Sequence, residues 1–293
     1  MRAFIESLRV REWSKNLLLF AGVMFSHHFF DPAYLARAAA GFFLFSFVAS
    51  SIYLLNDLRD REQDLLHPKK KNRPIASGRL GAGAALAGAF ALAIPSLAAG
   101  FFLSRGFGIS LLIYFALNVA YTLRLKEVVL LDVLSISVGF VIRAIAGVEA
   151  LKGIDADVLI SPWLLVCTFF AALFLAVCKR RSELVLLEKG AASHRASLEQ
   201  YSLALADQIT AVTAGITVLS FSLYTIWPDT VAKFGTSSLI YTVPFVVYGL
   251  FRYMYLAHEK GLGGHPAEVL FADKPLLVNL LLWAGAVLYI LYR

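Results

Sequence analysis

The sequence predicts an all-α integral membrane protein, a bundle of nine transmembrane helices in one domain. Three observations carry that prediction. The chain is 59% hydrophobic and 16% charged over 293 residues, with a mean hydropathy of +0.71, too apolar for a soluble domain of this size. Nine windows approach or exceed the roughly 20 apolar residues that cross a bilayer. Lys and Arg, finally, gather on alternate connections between those windows.

The spans run over 17–30, 38–55, 81–103, 107–123, 128–150, 159–178, 209–227, 237–257 and 275–292. Ahead of the first, MRAFIESLRVREWSKN is polar and basic and lacks the apolar core of a cleavable signal. The first span is short and is expected to tilt or to extend toward Trp13. A cytoplasmic N-terminus puts four Lys or Arg residues on that side in the N-terminal segment, seven in loop 56–80, two in 124–127, five in 179–208 and two in 258–274. The opposite side then holds only Arg37, Arg105, Lys152, Lys233 and Arg293. Twenty against five predicts N-terminus in and C-terminus out. Both long loops, 56–80 and 179–208, thereby face the cytoplasm. They follow spans two and six, a spacing that suits two four-helix halves plus a ninth helix.

The net charge of +7 is accounted for by this loop bias and calls for no nucleic-acid partner. Cys167 and Cys178 lie eleven apart on one expected helix. At ~1.5 Å per residue they stand too far apart to form a disulfide. The six histidines show no metal-ligand spacing, although His67 projects near the acids described next.

Between spans two and three the chain reads NDLRDREQDLLHPKKKNRPIASGRLGA. On a continuous helix Asp57, Asp60 and Asp64 share one face, with Asn56 beside Asp60. Helix geometry is expected to stop near Pro68. Clustered carboxylates repel unless a cation sits among them, and carboxylate oxygen is the usual ligand for Mg²⁺ carrying substrate phosphates. The basic tail, including Lys71 and Arg73, supplies donors for such an anion. Loop lysines also follow from membrane topology alone, but that does not account for three acids on one face at a helix end.

The pattern N-D-x-x-D-x-x-x-D followed by HPxKxxRPIASG resembles the first aspartate-rich motif of the UbiA-type membrane transferases. The resemblance covers essentially the whole chain. It implies Mg²⁺ and a diphosphate at the cytoplasmic mouth of a nine-helix bundle with a central cavity, in a bacterial plasma membrane. It also implies that Lys126, in YTLRLKEVVLLD at 121–132, contributes to the diphosphate site. Asn56, Asp57, Asp60 and Asp64 become the expected catalytic set, the three aspartates its metal ligands.

The second charged loop departs from that family's pattern. CKRRSELVLLEKGAASHRASLEQYSLALADQ has no D-x-x-x-D and opens on Lys179, Arg180 and Arg181. Bases at a helix end suit direct recognition of a phosphate monoester, or else mark the membrane surface. With RVREWSKNLLLFA, YLLND and ISPWLLVCTFFAALFLAVCKRRSEL, this resembles the decaprenyl-phosphate phosphoribosyltransferase branch. That branch implies 5-phosphoribose 1-diphosphate as donor, a polyprenyl phosphate as acceptor, and a lipid-linked phosphoribose for cell-envelope glycans. The residues expected to bind these substrates are Lys15, Asn16, Lys71, Arg73, Lys126, Asp132, Lys179, Arg180, Arg181 and Tyr201. Lys15 and Asn16 belong to the N-terminal motif, and Asp132 leads a polar stripe with Ser135, Gly139 and Arg143. For Arg143, deeper in the helix, a structural ion pair or backbone carbonyl is the expected partner. Tyr201 and Asp207 precede span seven.

The rival reading is an aromatic prenyltransferase using a prenyl diphosphate, against which the missing second acidic motif counts. A cation-coupled transporter is a different class, but its acids belong at the bilayer midplane rather than at a helix end. Self-association is left open by the sequence.

Overall fold

Every regular element among the described residues is helical. The computed structural model describes residues 2–26, 28–66, 70–188, 196–264 and 266–293. In order, the α-helices are α1 (Arg2–Ser7), α2 (Phe20–Met24), α3 (Pro32–Arg59), α4 (Arg61–Leu66), α5 (Ala82–Leu103), α6 (Arg105–Leu123) and α7 (Leu131–Leu151). They continue as α8 (Pro162–Glu188), α9 (Leu203–Ile226), α10 (Pro228–Phe234), α11 (Val243–His258), α12 (Pro266–Ala272) and α13 (Lys274–Tyr292).

Eight helices among the described residues are long and apolar enough to cross a membrane: α3, α5, α6, α7, α8, α9, α11 with the 3₁₀ turn before it, and α13. They match predicted spans two to nine. The first predicted span, 17–30, is different. A 3₁₀ helix over Val10–Leu19 runs into the five-residue α2, and no long α-helix forms. Ten residues is long for a 3₁₀ helix, and this one is pinned by partners elsewhere in the chain. The Trp13 indole N–H donates to Ser50 Oγ at 3.0 Å, and Asn16 Nδ2 donates to Ser46 Oγ at 2.9 Å. Further along, a Cβ on Gly22 would sit 2.7 Å from the carbonyl carbon of Gly147, and one on Gly147 would strike the Leu19 carbonyl. Only glycine lets α2 and α7 touch backbone to backbone.

Local chemistry sets the other helix ends. Asp31 accepts from the Ala33 N–H at 2.8 Å ahead of Pro32, an N-cap with proline in the first turn. Ser104 alone separates α5 from α6 and caps the latter through the Phe107 N–H at 3.0 Å. Asp273 caps α13 at Leu276 while receiving Arg252 in a two-pronged pair at 2.8 and 3.2 Å.

Helices α7 and α3 are the central ones, with 61% and 56% of their apolar windows buried, whereas α13 and α5 bury 17% and 22%. Phe90, Ile94, Phe102, Leu281 and Leu282 point outward. So much exposed apolar surface on long helices is the mark of a lipid-facing surface. At the centre, Phe45, Val48, Phe107, Leu111, Ile142 and Ala146 pack α3, α6 and α7 together.

Arg143 sits in that centre, buried, with every bond made to a neutral group. Its Nε donates to Asn16 Oδ1 at 2.8 Å, Nη1 to the Gly139 carbonyl at 3.0 Å, and Nη2 to the Tyr114 hydroxyl at 2.7 Å. The rings of Phe45, Tyr114 and Phe140 lie 4.7–5.5 Å from its Cζ. The backbone-carbonyl partner expected for this arginine is therefore present. The guanidinium ties the N-terminal 3₁₀ helix to α6 and α7.

Candidate active site

Helix α3 is 28 residues long, about 42 Å at 1.5 Å per residue, longer than the ~30 Å hydrocarbon core. Asn56 and Asp57 lie in its last turn. The helix stops at Asp60, whose backbone (φ −87°, ψ 8°) leaves α geometry before α4 carries Asp64. This break changes the expected arrangement of three acids on one continuous face. Asp57 and Asp64 converge on a single nitrogen, Arg73 Nη1, at 3.1 and 2.6 Å. Asp60 turns instead to Lys126 Nζ at 2.5 Å, with Asn56 Nδ2 on its other oxygen at 3.1 Å. Lys126 Nζ also reaches Asn56 Oδ1 at 3.4 Å.

Arg73 is held over the acids by the chain that follows it. In RPIASG, Ile75 is buried against Leu54, Ala85 and Ala89, and the Ser77 N–H bonds to the Arg73 carbonyl at 2.9 Å. Gly78 then takes φ +77°, a conformation favouring glycine. His67, Pro68 and Lys69 lie outside the described residues, as do His27, His194 and His265.

A second basic group on Asp57 was not foreseen from the sequence. Arg9 Nη2 bonds to the same Oδ1 that Arg73 holds. The Arg9 guanidinium lies 4.9 Å over the Tyr53 ring, and its backbone is left-handed at φ 51°, ψ 51°. One 3₁₀ turn on, Glu12 and Lys15 pair at 2.5 Å. Burial works to raise the Glu12 pKa, but the positive charges of Lys15, Lys179 and Arg9 hold it below the usual value. Lys15, Lys179 and Arg9 thus all bear electrostatically on Glu12, and Arg9 also reaches Asp57.

The second charged loop is tied to the first through Asp132. This carboxylate is fully buried at the start of α7. Arg180 Nε donates to its Oδ2 at 2.6 Å, and the Tyr201 hydroxyl donates to its Oδ1 at 2.7 Å. The Tyr201 oxygen accepts the N–H of Leu130, which has φ +65°. Burial, then the bond to Asp132, pushes the Tyr201 phenol up. Ser197 Oγ bridges to the Lys126 carbonyl at 3.0 Å. A chain of polar contacts therefore runs from Asp60 through Lys126, Ser197 and Asp132 to Arg180, and on to Glu183 at 2.6 Å.

Arg180 and Arg181 do not share a partner. Successive helical residues point about 100° apart, and here the two arginines meet different surfaces. Arg180 is committed to Asp132 and Glu183; Arg181 pairs with Asp207, which also meets His258 Nε2 at 3.1 Å. Lys179 faces Glu12. Lys71 is exposed on the 3₁₀ turn Lys70–Asn72. The structure thus brings Asn56, Asp57, Asp60, Asp64, Arg73 and Lys126 together, pairs Lys15 with Glu12, and links Asp132, Tyr201 and Arg180 in an adjoining buried network. Asn16 faces Arg143 instead.

No group of three His, Cys, Asp or Glu side chains among the described residues is gathered tightly enough to hold a metal on its own. The convergence of Asp57 and Asp64 on one cationic nitrogen does fit Mg²⁺, which takes one or two carboxylates and completes its shell with phosphate and water oxygens. Asp60 stands apart from that pair.

A sequence model of the UbiA prenyltransferase family matches residues 17–265. The chain belongs to the UbiA prenyltransferase family. Its UbiA relatives include the decaprenyl-phosphate phosphoribosyltransferase of Mycolicibacterium smegmatis, 34% identical over 97% of this chain and 90% of that one. The enzyme of the same name from Corynebacterium glutamicum is 34% identical over 98% of this chain and 86% of its own length. Among solved structures, a UbiA homologue from Archaeoglobus fulgidus bound to GPP and Mg²⁺ superposes with a TM-score of 0.73, covering 99% of this chain and 100% of that one at 18% identity. That likeness establishes the UbiA fold. The expected family is thereby confirmed.

Proposed function

We propose that this protein transfers 5-phosphoribose from 5-phosphoribose 1-diphosphate to a polyprenyl phosphate in the membrane, releasing diphosphate. The observation that carries the reading is the meeting of Asp57 and Asp64 on Arg73 beside Lys126. Acids for a metal and bases for an anion stand at one place. The names of the phosphoribosyltransferase relatives support the choice of donor and acceptor.

Asp57 and Asp64 would hold Mg²⁺, and the bound ion would supply Lewis-acid neutralisation of the diphosphate. Arg73 and Lys126 offer N–H donors to the diphosphate oxygens as negative charge grows there. An oxygen of the lipid phosphate attacks ribose C1 while the bond from C1 to the diphosphate oxygen breaks, its electron pair leaving with diphosphate. In-line attack inverts C1. A phosphate monoester is already ionised near neutral pH, with a second pKa of about 6, so the nucleophile needs no general base. Positioning and charge stabilisation carry the rate. The charge asymmetry of the loops supports a cytoplasmic active face, and the membrane we assign is a bacterial plasma membrane.

The test is direct. Purified protein receives labelled phosphoribosyl diphosphate, Mg²⁺ and polyprenyl phosphate, and the lipid fraction is counted. Labelled lipid is expected. The second reading, an aromatic prenyltransferase, draws on the GPP-bound structural neighbour. It holds instead if the protein ignores phosphoribosyl diphosphate and prenylates an aromatic acid.

A further inference from the structure

Asp57 is buried, yet its Oδ1 carries two guanidinium groups, from Arg9 and from Arg73. Arg73 has a second carboxylate in Asp64. Among the described residues, Asp57 is the only carboxylate paired with Arg9. The two arginines differ in how they are held. Arg73 belongs to the loop that follows the acids. Arg9 arrives from the N-terminal segment, which is strapped onto α3 and onto the loop ahead of α5. Ser50 Oγ donates to the Leu8 carbonyl at 2.8 Å while accepting the Trp13 N–H. Glu6 meets both terminal nitrogens of Arg79 at 2.8 and 3.0 Å. Between these straps the chain turns through the left-handed conformation at Arg9, which an L-residue with a Cβ adopts only when its surroundings hold it there. The Tyr53 ring under the guanidinium keeps the side chain over Asp57.

A divalent ion that binds Asp57 must approach a carboxylate whose Oδ1 is already held by Arg9 and Arg73. Two cations then compete for one carboxylate. An arginine released from it stands beside the site with a planar fork of N–H donors suited to phosphate oxygens.

We propose that Arg9 is a resident counter-ion of Asp57 that opposes the divalent ion when it arrives alone and transfers to the diphosphate when ion and donor arrive together. Arg9 is on this view a positioning residue that couples metal binding to donor binding. The inference rests on the reading that Asp57 holds a divalent ion for a diphosphate donor. It does not depend on which group the diphosphate carries.

The experiment measures Mn²⁺ binding to full-length purified protein with no donor present, by electron paramagnetic resonance of free Mn²⁺. Inorganic diphosphate binding is then measured at saturating Mg²⁺. Wild type, Arg9→Ala, Arg9→Lys, Asp57→Asn and Arg79→Ala are compared, with thermal unfolding recorded for each. Charge-assisted bonds are worth roughly ten- to a hundredfold in affinity. Arg9→Ala is expected to bind Mn²⁺ more tightly than wild type by roughly tenfold, and diphosphate more weakly by a similar factor. Arg79→Ala, which loses a strap but no contact to Asp57, should leave Mn²⁺ affinity at the wild-type value. If Arg9→Ala does not fold, Arg9→Lys carries the test, because its ammonium cannot reproduce the fork and should shift both affinities in the same directions. Mn²⁺ binding that Asp57→Asn abolishes but Arg9 substitutions leave unchanged, or weaken, overturns the inference alone. Mn²⁺ binding indifferent to Asp57→Asn overturns the metal reading beneath it.

Discussion

Arg180 Nε lies 2.6 Å from Asp132 Oδ2, and neither side chain reaches solvent. Removing one partner of such a pair strands the other charge, at a cost of about 3–5 kcal/mol. Arg180→Ala and Asp132→Ala should each lower the unfolding midpoint in detergent sharply. The double substitution should recover part of the loss. Equal and additive losses would mean that the two charges do not depend on each other.

The acids should separate by their partners. Asp57→Asn and Asp64→Asn are expected to abolish Mg²⁺-dependent turnover, because these two share the cationic site at Arg73. Asp60→Asn should retain measurable turnover with a raised KM for the donor, since its contact is Lys126. Turnover in EDTA, or in Asp57→Asn, would remove the metal from the reaction.

Tyr201 gives the fold a measurable alkaline limit. Its phenol is pushed above the ordinary value of 10.0 by burial and then by Asp132. A raised pKa means that the folded state favours the protonated phenol. That contribution is fully present below about pH 10 and is lost as pH rises through the folded value. Unfolding midpoints of wild type should fall faster above pH 10 than those of Tyr201→Phe. Tyr201→Phe should start lower at neutral pH by about 1–3 kcal/mol, the cost of leaving a buried acceptor unmade. Parallel pH profiles would detach Tyr201 from that limit.

Asn16→Ala should destabilise by about 1–3 kcal/mol, because it takes a buried acceptor from the Arg143 guanidinium. Arg143→Lys should not restore the loss caused by removing the guanidinium, since one ammonium cannot span Asn16, Gly139 and Tyr114 together. Thermal unfolding of the three proteins decides this.

Sidedness is tested at Ser77, exposed in the loop after the acids. A cysteine there, in a background lacking Cys167 and Cys178, should resist impermeant thiol reagents in whole cells and label in inside-out vesicles. Labelling from outside the cell would reverse the assigned orientation. Ser193, the matching choice in the second loop, lies outside the described residues.

Eight of the nine predicted spans coincide with long apolar helices among the described residues, because length and apolarity alone specify them. The N-terminal segment was not legible in the same way. Its 3₁₀ course is stabilised by Ser46, Ser50, Arg143 and Gly147, partners distant in sequence. The acids themselves were legible, but their division was not, because a helix projection assumes unbroken geometry and the helix breaks at Asp60. Local pattern likewise presented Lys179, Arg180 and Arg181 as one basic cluster, whereas tertiary packing gives Arg180 and Arg181 different partners. Arg9 belongs to the same RVREWSKN motif that drew attention to Lys15 and Asn16. Only its long-range contact to Asp57 singles it out.

The glycine contact between α2 and α7 bears on biosynthesis. Residue 22 leaves the ribosome well over a hundred residues before residue 147, yet each glycine's place is defined by the other's backbone. Until α7 is inserted, the segment around Asn16 has neither Arg143 nor Gly147 to pack on. The apolar stretch that holds Gly22 must therefore wait for the fourth of the long helices before its native path exists. Nascent chains arrested ahead of residue 143 should hold it loosely, open to crosslinking with lipid and insertase, and release from both should coincide with the arrival of α7.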